Sequence, residues 1–379
     1  MTLLPTAIEP FAAGVYRQRL QRVAEETERR GLAALLLTPS PDYAYLLGYR
    51  APALERLTCL VLPAAGTPRV VLPRLEEPLA RHELGELVDS VELVTWDETD
   101  DPFRLVRSLL AGSSGRIGVQ DQMYARFVLR LRAALDPMEL VEAGPSMAAL
   151  RRIKSSGEVD RLRVAGAAAD AAMDQVTAEP LAGRTEAEVS RHINELLLAA
   201  GHQTADFAIV ASGPNSASPH HEPGSRLIRE GDAVVLDIGG SLASYCSDTS
   251  RTAFVGEPPG GFATMYAVLE EAQAAACGAV APGVAAEAID AAAREVIAAA
   301  GFGDRFIHRT GHGIGMETHE EPYLVAGNAE PLQAGHVFSI EPGIYLEGEW
   351  GARIEDIVVC TASGGERLNT SSRALRVVD

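Results

Sequence analysis

Apolar and polar positions change rhythm along the chain, and the change divides it in two. Before residue 150, short runs rich in Val, Leu and Ile recur at Ala33 to Thr38, Thr58 to Pro63, Arg69 to Pro73, Val91 to Trp96 and Arg116 to Gln120. Runs of this length, bounded by Gly, Pro and polar residues, predict strands, whereas Tyr16 to Arg30 has a helical pattern. The alternation predicts an α/β domain over residues 1–150. Gly and Pro interrupt the pattern in Glu142 to Pro145, and beyond them Ser155, Ser156 and Glu158 mark the start of a helix running toward Val176. The domain boundary is therefore placed near residue 150, with the second domain over residues 151–379.

In the second domain the helical pattern repeats. Gly183 to Gly201 can be laid on Gly283 to Gly301, so that Val189, Glu195, Leu196, Leu197, Ala199 and Ala200 fall on Ile289, Glu295, Val296, Ile297, Ala299 and Ala300. Each copy predicts an amphipathic helix closed by a glycine cap, and Thr185 with Glu188 forms a capping box in the first. A second helical segment precedes each copy (Val159 to Val176, Ala263 to Val280), and carboxylate-bearing strands follow. The domain is predicted to be two related α+β halves.

Composition narrows the partners. With 52 acidic and 33 basic side chains, the net charge of -19 repels phosphate backbones and anionic lipid, so neither nucleic acid nor membrane is expected as a partner. Apolar runs such as Leu32 to Leu37 fall far short of the ~20 residues of a membrane span, and MTLLPTAIEPF lacks the basic start of an export signal. The four cysteines, Cys59, Cys246, Cys277 and Cys360, match neither a disulfide framework nor a zinc knuckle, which suits the cytoplasm. Cys246 lies two residues from a candidate ligand, but packing is the usual fate of a free cysteine.

Candidate chemistry lies in the carboxylate strands. In DAVVLDIGGSLASYCSDTSRTAFV, Asp237 ends one β-branched run and Asp248 precedes another, with Gly239 and Gly240 allowing a tight reversal between them. Taken alone, the pair also fits two solvated turn carboxylates. VFSIEPGIYLEGEWGARIEDIVVC repeats the arrangement, with Glu341 ending a strand and Glu355 opening another. Upstream, FIHRTGHGIGMETHEEP supplies His308, His312 and His319, with Gly311, Gly313 and Gly315 permitting close backbone approach around His312. One imidazole and four carboxylates form a hard, oxygen-rich site for two divalent cations, favouring Mn²⁺ or Co²⁺, with Zn²⁺ also possible.

With these motifs in place, the chain resembles the pita-bread metallopeptidases, which include methionine aminopeptidase, aminopeptidase P and prolidase. The resemblance rests on Asp237 and Asp248, GHGIG followed by HEEP, IEPGIY and RIED, in the family's order. It implies a creatinase/prolidase-like α/β N-terminal domain serving dimerisation and substrate gating, followed by a pita-bread catalytic domain with pseudo-two-fold duplication. It further implies that Asp237 chelates one ion, that His312 and Glu341 bind the other, and that Asp248 and Glu355 bridge them. Glu341 is then the general base. His220 in SGPNSASPHHEP and His319 match non-ligand catalytic histidines, while Tyr245 and Arg353 match residues that orient the ligands.

The first domain argues against a minimal methionine aminopeptidase, and the intact ligand set argues against a creatinase-type reaction or a non-catalytic peptide-binding relative. Hydrolysis of an Xaa-Pro bond remains as the expected reaction, in a homodimer. A dipeptidase must capture a free carboxylate with a cation, ideally arginine. Many prolidases carry arginine immediately after the HE-x-P motif, where this chain has Tyr323. Arg50 and Arg56, in PDYAYLLGYRAPALER, are the alternative candidates, and Arg50 is preferred because it follows the Leu47, Gly48, Tyr49 turn. The expected function is an Xaa-Pro dipeptidase, with an aminopeptidase P acting on longer peptides as the alternative.

Overall fold

A computed structural model describes residues 8–379; the expectation about an export signal rests largely on the seven residues outside that range. Two compact units are present, Glu9–Arg151 and Arg152–Asp379, the latter together with Ile8. Among the described residues, no helix is long and apolar enough to cross a membrane.

The first unit is built on a six-stranded mixed sheet. Leu32–Leu37 pairs antiparallel with Cys59–Pro63 and parallel with Arg116–Val119. Arg69–Pro73 pairs antiparallel with Cys59–Pro63 and parallel with Glu92–Trp96 on one side, and Glu139–Glu142 closes the other side against Arg116–Val119. The apolar runs read from sequence thus become strands because their side chains are buried, with Leu35, Leu36, Leu60, Val61, Val70 and Val71 fully enclosed. Where Gly and Pro interrupt the sequence pattern before the expected boundary, the strand Glu139–Glu142 and the helix Gly144–Arg151 are present. Gly144-Pro145 opens that helix, a place where proline costs no hydrogen bond.

The second unit shows the duplication in its backbone. Helices Ser156–Val176 and Glu186–Ala199 form one pair, and Gly260–Ala279 and Ala286–Ala299 form the other. Gly183 N–H donates to Ile228 O and Ile228 N–H to Arg184 O; Gly283 N–H donates to Leu332 O and Leu332 N–H to Val284 O. Glu186 N–H donates to Arg226 O, and Ala286 N–H donates to Glu330 O in the same way. Gly201 and Gly301 have φ of 109° and 87° just after their helices, a conformation that only glycine adopts cheaply.

Each half packs its helices on its own sheet. Thr204–Ser212, Ala233–Leu242, Tyr245–Val255 and Arg376–Val378 form a four-stranded sheet over one core, which includes Met173, Ile193, Leu197 and Leu236. Glu320–Leu324, Gly311–Gly313, Val337–Ile340, Asp356–Thr361 and Gly364–Arg367 form a five-stranded sheet over the other, which includes Phe262, Leu269, Ile289 and Phe338. The seam between the sheets is polar. Arg251, 0% exposed, donates to Glu355 O at 2.6 Å, Asp356 Oδ1 at 2.7 Å and Ser371 O at 2.9 Å. Asp356 is also fully buried and accepts from Gln273 Nε2 at 3.0 Å. A charge so deep is stable only because each donor has a partner.

Candidate active site

The carboxylates meet across this seam. Gly239 stands opposite Asp248, and Asp237 opposite Ser250, so Asp237 and Asp248 are diagonal neighbours on one face of the strand pair. Both lie within strands rather than at their ends. The reversal expected at Gly239 and Gly240 falls instead at Ala243 and Ser244, with φ of 49° and 72°. Gly240 serves another purpose, since a Cβ there would lie 2.2 Å from Thr204 O.

In the other half Glu341 directly follows Val337–Ile340 and Glu355 directly precedes Asp356–Thr361, whose last and first residues pair. The glycine-rich stretch between them is itself a hairpin, Gly343–Leu346 with Trp350–Arg353. Glu355 N–H donates to Ser250 O at 3.1 Å, joining the two acid-bearing strand pairs. Ligand atoms of Asp248, His312 and Glu355 lie within 4.8 Å of one another. His312 Nε2 is 3.2 Å from Glu341 Oε1 and 3.7 Å from Asp248 Oδ2. Its Nδ1–H meets Gly313 O at 3.1 Å, leaving Nε2 to face the acids. Close approach of this strand requires Gly311, where a Cβ would lie 1.9 Å from Ser339 O.

Electrostatics indicate what the cluster is suited to hold. Burial, followed by repulsion from Glu355, Asp237 and Glu341, pushes Asp248 well above the ordinary carboxylate range. Glu355 is raised likewise by burial and by Glu341 and Asp237. Burial also acts to raise Glu341, but the hydrogen bond and charge of His312, with His308 and Arg353, outweigh it and hold Glu341 at about 2. Among the described residues, Asp237 Oδ1 and Glu355 Oε1 are buried without a hydrogen-bond partner. Orphaned carboxylate oxygens beside mutually repelling acids fit divalent cations, and the donor set of carboxylates with one imidazole is a hard one.

Arg353 and Tyr345 organise the rim. Arg353 donates through Nη2 to Asp237 Oδ2 at 2.6 Å, through Nε to Ser250 Oγ at 3.0 Å and through Nη1 to Tyr345 Oη at 3.0 Å. Ser250 Oγ in turn donates to Glu355 Oε2 at 2.8 Å. Tyr345 Oη is 3.0 Å from His308 Nε2, while His308 Nδ1–H donates to Arg309 O. Tyr245 does not occupy this place; its hydroxyl donates to Glu158 Oε1 at 3.0 Å, on the first turn of Ser156–Val176. The tyrosine that orients Asp237 through Arg353 is Tyr345, visible in hindsight as the last residue of IEPGIY.

Comparison with known proteins agrees with this geometry. Residues 160–362 match the model of metallopeptidase family M24, and residues 19–153 match the creatinase/prolidase N-terminal domain. The probable dipeptidase PepE of Mycobacterium tuberculosis is 48% identical over 97% of this chain and 98% of that protein. The chain belongs to metallopeptidase family M24. Among solved structures, this metallopeptidase is similar to the dipeptidase PepE of Mycobacterium ulcerans, with a TM-score of 0.92 and 47% identity, covering 98% of this chain and 100% of that one. It is also similar to a prolidase from Thermococcus sibiricus, with a TM-score of 0.90 and 36% identity, covering 96% and 99%. The two domains expected from the sequence, creatinase/prolidase N-terminal and pita-bread catalytic, are those of its relatives.

The remaining candidate residues of the metallopeptidase fall into three groups. His319 packs edge-on against His312, ring centroids 4.1 Å apart, and burial, then the charges of His312 and Arg309, lower it to about 4. His220 is exposed, and its charge acts on both His308 and His319. Its neighbour His221 is instead bound to Glu186 Oε2 at 2.8 Å. Tyr323 is half-buried beneath the guanidinium of Arg309. Arg50 and Arg56 belong to the first unit, where Arg50 is exposed and Arg56 pairs with Glu55 and Glu98.

Two buried acids that the sequence did not single out hold the histidine segments. Glu186, 0% exposed, accepts from Ser212 N–H, Ser212 Oγ and Asn215 Nδ2 on one oxygen, and from His221 and Gly224 N–H on the other. Asp290, 1% exposed, accepts from Thr310 N–H and Thr310 Oγ1 and pairs with Arg294. Arg294 passes the tether on to His308 O at 2.9 Å. Each half thus uses a carboxylate from its second helix to pin the loop that carries its histidines.

Proposed function

We propose that this metallopeptidase is an Xaa-Pro dipeptidase that holds two divalent cations, Mn²⁺ or Co²⁺ before Zn²⁺, on Asp237, Asp248, His312, Glu341 and Glu355. The observation that carries the reading is the pair of orphaned oxygens, Asp237 Oδ1 and Glu355 Oε1, one from each half and both buried. Bound cations would supply the Lewis acidity that activates water and polarises a carbonyl. In this reading Glu341, ionised throughout the neutral range, accepts a proton from the attacking water. His319, neutral at that pH, and His220 hydrogen-bond the substrate and the charge developing on it. Arg353 fixes Asp237, and Tyr345 fixes both Arg353 and His308. Dipeptide specificity is supported by the similarity to the PepE dipeptidases and to prolidase. Four cysteines without disulfides suit a cytoplasmic setting, and the family resemblance supports a homodimer.

The deciding experiment compares hydrolysis of Ala-Pro and Ala-Pro-Ala by chelated protein reloaded with Mn²⁺, Co²⁺ or Zn²⁺, alongside metal analysis. Metal-dependent turnover with preference for Ala-Pro is expected, and Asp248→Ala should lose bound metal and turnover together. Full activity of the chelated protein, or preference for the tripeptide, would reject the reading.

A further inference from the structure

A dipeptide differs from a longer peptide by the free carboxylate on its second residue, so a dipeptidase needs a cation at that distance from the metal ligands. The geometry points to Arg309 as the residue that captures this carboxylate and sets the preference for dipeptides. The inference rests on the dipeptidase reading above and names the residue that enforces it.

Three observations converge on Arg309. First, its backbone is fixed from both sides. His308 Nδ1–H donates to Arg309 O at 2.8 Å, and Thr310 N–H is shared between Asp290 Oδ1 and Leu324 O. Second, its guanidinium lies over the Tyr323 ring, 4.5 Å from the centroid, and no carboxylate of the described residues lies within ion-pair distance of it. A planar cation stacked on an aromatic face keeps its edge donors available, and holding it there in advance lowers the entropy cost of binding. Third, the ring that holds it stands opposite a candidate ligand, since Tyr323 pairs with His312 across the strands Gly311–Gly313 and Glu320–Leu324. Arg309 is three residues from His312 and acts electrostatically on His319, whose ring touches that of His312. Most other cations around the site are already committed: Arg353 to Asp237, Arg294 to Asp290 and Lys154 to Glu320.

The test measures kcat and KM for Ala-Pro, Ala-Pro-amide and Ala-Pro-Ala with the Mn²⁺-loaded full chain, in the wild type, Arg309→Met, Arg309→Lys, Tyr323→Leu and Arg50→Ala. In Arg309→Met the ratio of kcat/KM for Ala-Pro to that for Ala-Pro-amide should collapse by roughly 10- to 100-fold, chiefly through KM, as expected when a charge-assisted pair is lost. Arg309→Lys should restore part of the ratio, and Tyr323→Leu should lower it to a smaller degree. An equal loss on all three substrates, or a selective loss only in Arg50→Ala, overturns the assignment to Arg309 while leaving the dipeptidase reading intact. A wild type that does not distinguish Ala-Pro from its amide overturns both.

Discussion

Removing the carboxylate of Glu186 tests whether the His220 loop is held from behind by a single buried acid. Five donors converge on it, at 2.9 Å from Ser212 N–H, 2.7 Å from Ser212 Oγ, 3.0 Å from Asn215 Nδ2, 2.8 Å from His221 and 3.2 Å from Gly224 N–H. Glu186→Ala leaves all five without that acceptor. Each buried donor left unsatisfied costs about 1–3 kcal/mol, and water entering the gap recovers part of it, so a net loss of ~4 kcal/mol is expected. For a domain of this size that loss lowers Tm by roughly 8–16 °C. Glu186→Gln keeps one acceptor oxygen but turns an amide donor toward other donors, and should cost about half as much.

Urea unfolding of the metal-loaded protein reads the stability change as a shift of midpoint at constant slope. The pH dependence supplies a second check. Burial acts to raise Glu186, but hydrogen bonds from Asn215, Ser212 and His221 hold its pKa below the usual 4.5. Stabilisation by a depressed carboxylate is fully present above the unfolded pKa and is lost as pH falls through the folded one. The stability gap between wild type and Glu186→Gln should therefore close in acid. A loss under about 1 kcal/mol in Glu186→Ala, or a gap that widens in acid, would refute the reasoning.

Two further outcomes follow from the candidate metal site. Tyr345→Phe removes the oxygen between Arg353 and His308; it should retain both ions by metal analysis and lower kcat about 10-fold, and a wild-type kcat would count against the relay. Chelation should lower Tm, by a margin that grows as pH rises above the ordinary carboxylate range, because the metal-free fold keeps protons on the raised carboxyls of Asp248 and Glu355 that the unfolded chain has already released. Glu341, held at about 2, is already ionised in that window and adds no slope. A margin independent of pH, measured by thermal melts with and without chelator, would contradict it.

Much of this was legible because metal sites assemble from residues with strong local signatures. Apolar runs marked five strands of the first unit to within a residue or two, and the repeat of Gly183 to Gly201 in Gly283 to Gly301 located both second helices. The sequence was silent where long-range contact decides the outcome. Tyr245 and Tyr345 are equivalent as residue types beside acid-bearing strands, and only the packing sends one to Glu158 and the other to Arg353. Nothing near Glu186 in the sequence marks it, since its donors come from residues 212 to 224. Arg309 was hidden within HRTGHGIG because its partner ring is contributed by the next strand.

The polar seam has a consequence for how this chain can change over evolutionary time. The two apolar cores share no buried side chain, so either can drift through compensated Leu, Ile and Val exchanges without consulting the other. Arg251 and Asp356 lack that freedom. Asp356 is the buried countercharge of Arg251 and also pairs with the half-buried Arg367 at 2.7 Å, while Arg251 grips the carbonyl of Glu355, so loss of Asp356 strands a buried guanidinium beside the acid cluster. Viable descendants are those in which the pair persists or changes in one step, which makes the seam, rather than either core, the slowest-moving part of the catalytic unit.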